Sequence, residues 1–431
     1  MTVSDQNHLE KYVQDALKDS YNPTNINKAA MDIKIKSIGI IGAGTMGGGI
    51  AMNFANIGIP VKLIETNSNH LQKGIEQIHF NYQRSADRGR FPQQEVTERM
   101  SRITGSVSIE DLRDCDLIIE AVFEDIEIKK GIFLKLNKIA KLDCIVASNT
   151  SGLDINEIAG VTDRPGNVIG LHFFSPANVM KLVEVVQGKL TNPKVVQRCM
   201  ELAKKIGKIP VLVGVCEGFV GNRILWVRQM QAIRLLKVGV TPWDIDKALN
   251  QFGFKMGPFQ MSDLAGLDLG WSKGLKTNNP IKDALCEAGR RGQKTSKGYY
   301  DYDSNRNASP SEETEKIIKG ITKVKKVTMS PEEIIETCIY PMINEAVKIL
   351  DENKIQRPSD IDVVWLFGYG WPKDKGGPMF YGDKIGSQKV LKKLEELSLV
   401  DSSISISKLL YETASNGADF LKIETGGLIP T

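Results

Sequence analysis

The chain has 431 residues, enough for two to four domains at about 150 residues each. Basic residues number 56 against 52 acidic ones, a net charge of +4, and no long basic run marks a nucleic-acid face. No apolar run reaches the ~18 residues of a membrane span. The scattered cysteines (Cys115, Cys144, Cys199, Cys216, Cys286 and Cys338) lack a CxxC pair or a nearby histidine, so they read as buried thiols of a reducing compartment.

Residues 1–35 are polar, with one weakly amphipathic helix around Leu9 to Leu17 that Asn-Pro-Thr-Asn at 22–25 breaks, a mobile tail or a docking helix. The segment has no apolar core for a secretory signal, and Asp5, Glu10, Asp15 and Asp19 are wrong for a transit peptide. From residue 36 the pattern changes. A short apolar run, Ser37 to Ile41, meets Gly42-Ala-Gly-Thr-Met-Gly47, a helical stretch to Ile57, and a second strand at Pro60–Glu65. That is a βαβ unit. A polar excursion over 69–102 predicts a pair of helices, and further strands are expected at 117–121, 144–147, 168–171, 181–186 and 209–213. Strands alternating with helices predict an α/β Rossmann-type, doubly wound parallel sheet over 36–215.

After Asn222 the strands are expected to stop. Helical pattern fills 216–310, a polar linker covers 303–314, and a second helical region, 311–431, opens near Ser330-Pro331-Glu332. The two regions resemble each other: Asp244-Ile-Asp parallels Asp360-Ile-Asp, and Gly257-Pro-Phe parallels Gly377-Pro-Met-Phe. An all-α part built from two related helical units is the expectation. The last residues, Leu428-Ile429-Pro430-Thr431, are not a Ser-Lys-Leu peroxisomal address. A soluble intracellular protein is expected.

The glycine turn carries the first chemistry. Gly42 suits the tight turn, Gly44 lets the backbone approach a pyrophosphate, and Gly47 lets the helix pack on its strand. Glu65 closes the second strand, where a carboxylate would accept from a ribose hydroxyl and repel a 2′-phosphate, so NAD is expected over NADP. Of the four histidines, His8, His70 and His79 lie in polar helical segments and read as surface residues. His172 ends an apolar strand at the carboxyl edge of the sheet, where ligands bind. Glu184 lies in the next apolar run, where an unpaired carboxylate would be costly. A His–Glu pair there suits a general base for alcohol oxidation. Ser151 and Asn222 are placed to donate to substrate oxygens. No metal site is indicated.

Taken together, Ile41-Gly-Ala-Gly-Thr-Met-Gly47, Ser148-Asn-Thr-Ser151, His172-Phe-Phe-Ser-Pro-Ala177, Met180-Lys-Leu-Val-Glu-Val185, Gly218-Phe-Val-Gly-Asn-Arg223 and the 289–301 segment resemble the L-3-hydroxyacyl-CoA dehydrogenase family. Leu366-Phe-Gly-Tyr-Gly-Trp-Pro372, Gly376-Gly-Pro-Met-Phe-Tyr381 and the duplicated helices resemble its multifunctional β-oxidation branch, without an enoyl-CoA hydratase part. The resemblance implies NAD-dependent oxidation of (S)-3-hydroxyacyl-CoA, with His172 as base, Glu184 as its partner, and Ser151 and Asn222 positioning the substrate. It implies cofactor contacts at Met46, Glu65, Glu124, Lys129, Ser151 and Ser175, and acyl-CoA contacts at Tyr381 and Lys73. Glu65 stands where the family usually has Asp, and Ser175 where many members have Asn. The resemblance also implies a peroxisomal setting, with the cytoplasm or another compartment left open, and a separate enoyl-CoA hydratase as partner is left open too. A monomer or a homodimer remains open, as do a dehydrogenase of a small free hydroxy acid and an idle NAD- or acyl-CoA-binding paralogue.

Overall fold

The computed structural model describes residues 3–24 and 35–426, so the polar stretch 25–34 and the C-terminal tetrapeptide 428–431 lie outside the described residues. Two compact units emerge, neither a single stretch of chain. One comprises Met1–Arg223, Ile349–Tyr369 and Leu421–Thr431; the other comprises Ile224–Lys348 and Gly370–Phe420.

The first unit opens with α1 (Val3–Ser20) and then alternates β1 (Ile38–Ile41), α2 (Thr45–Asn56), β2 (Val61–Ile64), α3 (Ser68–Asp87), α4 (Gln94–Ser101) and β3 (Ile103–Ser106). It continues through β4 (Leu117–Glu120), α5 (Ile126–Ile139), β5 (Ile145–Ser148), α6 (Ile155–Ala159), β6 (Val168–Phe173), β7 (Leu182–Gln187), α7 (Pro193–Lys205) and β8 (Ile209–Gly214). The strands form one sheet in the order β3-β2-β1-β4-β5-β6-β7-β8. The order reverses between β1 and β4, the switch point where doubly wound sheets bind ligands. The central strands are buried throughout, which is why they read as apolar runs without alternation. Helix starts are written locally: Asn67 accepts from the amides of Asn69 and His70 ahead of α3, and Asp125 accepts from Glu127 and Ile128 ahead of α5.

Two features depart from the sequence expectation. The sheet is not wholly parallel, because β7 runs antiparallel to β6. Strand β3 was not expected. Only Ile103 of its four residues is buried, so this edge strand carries almost no apolar signal.

Helix α8 (Phe219–Lys237) is followed by α9 (Pro242–Phe252), α10 (Pro258–Ala265), α11 (Pro280–Glu287), α12 (Glu312–Thr322) and α13 (Pro331–Asp351). Then come α14 (Pro358–Gly368), α15 (Pro378–Ile385), α16 (Ser387–Ser398) and α17 (Lys408–Ser415). The strands do not stop at Asn222, for β9 (Tyr300–Tyr302) and β10 (Ala308–Pro310) form an antiparallel hairpin where a linker was expected. Its anchors are tertiary: the Tyr300 hydroxyl donates to Asp246 and the Tyr302 hydroxyl to Asp263. Helix α14 belongs to the first unit, packed on β7 and β8 with α1 against it.

Candidate active site

The antiparallel register sets His172 directly opposite Glu184. His172 Nδ1 lies 2.7 Å from Glu184 Oε2, and both side chains are buried. With Nδ1 donating to the carboxylate, Nε2 is left as the acceptor of the neutral ring. The other carboxylate oxygen accepts from the Gly221 amide at 2.9 Å, in the first turn of α8, where unpaired N–H groups favour a negative charge. Gly218 and Phe219 both take positive φ (71° and 49°) just before that amide, and the Phe219 ring lies 5.8 Å from the imidazole. A phenylalanine held in the left-handed region is strain spent at the site rather than in the scaffold.

One residue on, the Asn222 amide nitrogen donates to the Ser151 carbonyl at 3.1 Å. Ser151 in turn donates through its amide and hydroxyl to Glu124 Oε1, which also accepts from the Thr150 hydroxyl at 2.6 Å. Burial alone would raise the Glu124 carboxyl. The Thr150 and Ser151 donors and the Lys129 ammonium outweigh it and hold the group below the usual carboxylate range. Lys129 is buried. Its ammonium sits 2.7 Å from Glu120 and 3.4 Å from Glu124, and Ser148 donates to the second Glu120 oxygen. His172 and Glu184 on β6 and β7, Glu124 and Ser151 just after β4 and β5, Lys129 on α5 and Asn222 on α8 are thus linked within the first unit.

The glycine turn meets β1 and α2. Gly42 needs its φ of +103°, and a Cβ on Gly47 would lie 1.8 Å from the Gly42 oxygen. Gly44 is different: a Cβ there would meet nothing within 4 Å. The protein itself does not demand that glycine, so the room fits a phosphate group approaching the backbone. Glu65 accepts from the Ala43 amide at 3.1 Å and from the Thr66 amide and hydroxyl, which aims its carboxylate at the same turn.

Residues 37–216 match the NAD binding domain of 3-hydroxyacyl-CoA dehydrogenase, and residues 218–302 match its C-terminal domain. The dehydrogenase part of multifunctional enzyme 1 from C. elegans is 33% identical, with a TM-score of 0.66 over 94% of this chain and 97% of that one. The chain belongs to the 3-hydroxyacyl-CoA dehydrogenase family. A 3-hydroxybutyryl-CoA dehydrogenase from Escherichia coli superposes with a TM-score of 0.77 at 26% identity, over 89% of this chain and 99% of that one. The peroxisomal bifunctional enzyme of Homo sapiens is 43% identical over 92% of this chain and 58% of its own length. The chain spans just over half the length of the curated relatives it matches.

Within this 3-hydroxyacyl-CoA dehydrogenase fold the remaining expected residues fall at separate places. Met46 is half-buried in the first turn of α2, and Ser175 is exposed after β6. Lys73 is exposed on α3. Tyr381 lies in the second unit, on α15, 5.0 Å edge-on from Phe252. Sequence reasoning missed several participants. Glu120 ends β4 in an apolar run, LIIE, the same signal that singled out Glu184. Gly221 and Tyr369 lie inside the quoted 218–223 and 366–372 motifs, but their contacts, the Gly221 amide on Glu184 and the Tyr369 hydroxyl on Asn222, come only with the fold. Lys208 is buried too; its ammonium donates to the carbonyls of Ala177 (2.5 Å) and Met180 (2.6 Å), pinning the loop between β6 and β7.

Proposed function

We propose that this chain is an NAD-dependent dehydrogenase that interconverts (S)-3-hydroxyacyl-CoA and 3-ketoacyl-CoA in fatty-acid β-oxidation. The observation that carries the reading is the cross-strand pair of His172 and Glu184, set beside the Asn222–Ser151 contact at strand ends of an NAD-binding sheet. Bound NAD would supply the acceptor or donor for the hydride at C3 of the substrate. His172 Nε2 takes the proton of the C3 hydroxyl, and Glu184 holds the ring in the tautomer that leaves Nε2 free and then balances the imidazolium. Asn222 and the Ser151 hydroxyl orient the substrate oxygens. The glycine turn 42–47 and Glu65 would hold the adenosine end of the cofactor, and Met46, Glu124, Lys129 and Ser175 would contact its nicotinamide side. Lys129 acts through Glu124, since its own ammonium is already paired. Lys73 and Tyr381 are assigned to the acyl-CoA. The peroxisomal relatives support a peroxisomal setting, and a hydratase supplies the 3-hydroxyacyl-CoA.

The test follows loss of NADH absorbance with acetoacetyl-CoA, longer 3-ketoacyl-CoAs and free acetoacetate. Turnover that requires the CoA moiety is the expected result. Turnover of free acetoacetate alone would favour a small-acid dehydrogenase. In His172→Gln, kcat should fall by about 10²-fold or more while NADH still binds. A variant with near-normal turnover would remove His172 from the mechanism.

A further inference from the structure

Tyr369 follows α14, 147 residues after Asn222, yet its hydroxyl lies 2.8 Å from Asn222 Oδ1. The placement is built. Gly368, at the end of α14, approaches β7 so closely that a Cβ would lie 2.4 Å from Leu182 Cδ2. The Tyr369 ring stacks on Trp365 at 4.8 Å and meets Phe174 edge-on at 5.4 Å. Phe174 in turn lies 4.4 Å from the His172 ring. Below the ring is Gly221, where a Cβ would collide with the Tyr369 Cε2 at 2.2 Å. Position 221 therefore does two things: its amide holds Glu184, and its missing side chain admits the phenol.

The hydrogen bonds fix which way the Asn222 amide points. The Ser151 carbonyl can only accept, so Nδ2 faces it. Oδ1 is then the group that receives the Tyr369 hydroxyl. Burial, with the Glu184 charge behind it, pushes that phenol well above its ordinary range, so it stays neutral and donates. A donor on Oδ1 polarises the amide and strengthens Nδ2 as a donor in turn. One of the two Nδ2 hydrogens goes to Ser151, which leaves the other for a ligand.

We propose that Tyr369 is a positioning residue for the dehydrogenase reaction, locking the Asn222 amide so that its second N–H is presented to the substrate oxygen. The proposal rests on the reading of Asn222 as a substrate contact. Tyr369→Phe deletes one hydroxyl and keeps the ring packing. It should lower kcat with acetoacetyl-CoA by about 5- to 20-fold, the worth of one hydrogen bond in the transition state. NADH affinity should stay within about twofold, since no cofactor contact changes.

The decisive readout is a double-mutant cycle. In an Asn222→Ala background, Tyr369→Phe should cost less than about twofold, because the oxygen its hydroxyl holds is gone. An equal loss in both backgrounds, or a Tyr369→Phe enzyme within twofold of its parent, overturns the proposal. Crystal structures of the parent and Tyr369→Phe supply an arm independent of turnover. An Asn222 side chain held in one position in the parent and shifted or split between conformers in the variant supports the lock; an unmoved, singly placed Asn222 in the variant overturns it. If the parent reduces no 3-ketoacyl-CoA, the functional reading falls, and the crystallographic arm decides the lock by itself.

Discussion

A Cβ built on Gly47 would lie 1.8 Å from the Gly42 carbonyl oxygen, whereas one on Gly44 would touch nothing, although both belong to the same fingerprint. The first glycine is demanded by packing; nothing in the protein demands the second, which we assign to the approach of the cofactor's pyrophosphate. The two substitutions should separate. Gly47→Ala must push α2 from β1 and should destabilise the fold by about 1–3 kcal/mol, read as a lowered Tm. Gly44→Ala should leave Tm within about 2 °C. It should also weaken NADH binding by at least about tenfold, measured by fluorescence titration, because a methyl group then stands where the pyrophosphate approaches. Equal losses of stability in the two variants would contradict the distinction. At this scale the sequence was informative wherever a residue type was out of place in its run. His172 and Glu184 stood out in that way.

Helix α1 shows what an element gains from a partner that is distant in sequence. Alone it is polar, with a weak apolar face, and the sequence left a tail and a docking helix equally open. It packs against α14 and β8, burying Leu9 and Ala16, and the Tyr12 hydroxyl donates to Asp362 at 2.6 Å. Arg357 reaches its Asp19 carbonyl from the start of α14. Helix α14 carries Tyr369 at its end, so α1 braces the element that reaches the Asn222 amide. Leu9→Asp would bury a carboxylate in this contact and should cost about 2 kcal/mol or more, seen as a lower Tm in thermal denaturation. An unchanged Tm would mean that α1 contributes no stability through this face. The β9–β10 hairpin makes the same point. Three-residue strands flanked by Asp303 and Asn307 look like a linker, and only the buried tyrosines against Asp246 and Asp263 make them strands.

Across the molecule, three buried aspartates set a dependence of stability on pH. Burial pushes Asp246 up to about 7, and Asp263 and Asp360 up to about 6, against the hydrogen bonds and arginines that lower each of them. The folded state therefore holds protons that the unfolded chain releases near its ordinary carboxylate value. The stabilisation is present below about pH 4 and is lost as pH rises towards about 7, at no more than about 1.4 kcal/mol per pH unit for each group. Glu124 and Asp116, held low, act in the opposite sense, but only in acid below the usual carboxylate range. Tm should accordingly fall between pH 5 and 7, and the fall should be shallower in Asp246→Asn. A flat or rising profile in the parent protein would show that these aspartates are ionised throughout.

What the sequence by itself determined is what short range encodes. The glycine turn, the apolar strands and the pair of helices in the polar stretch 69–102 are each written in a few consecutive residues, because turn geometry and periodicity are local. The presence of His172 and Glu184 in successive apolar strands was legible for the same reason. Their direct opposition was not, because it depends on β7 reversing direction and on a register that a shift of one residue would undo. Only tertiary structure could pair Glu120 with Lys129, Gly221 with Glu184 and Tyr369 with Asn222. A hydrogen bond between residues 147 positions apart leaves no pattern in either neighbourhood. It exists because α14 packs on the sheet and carries its last residues to the strand ends.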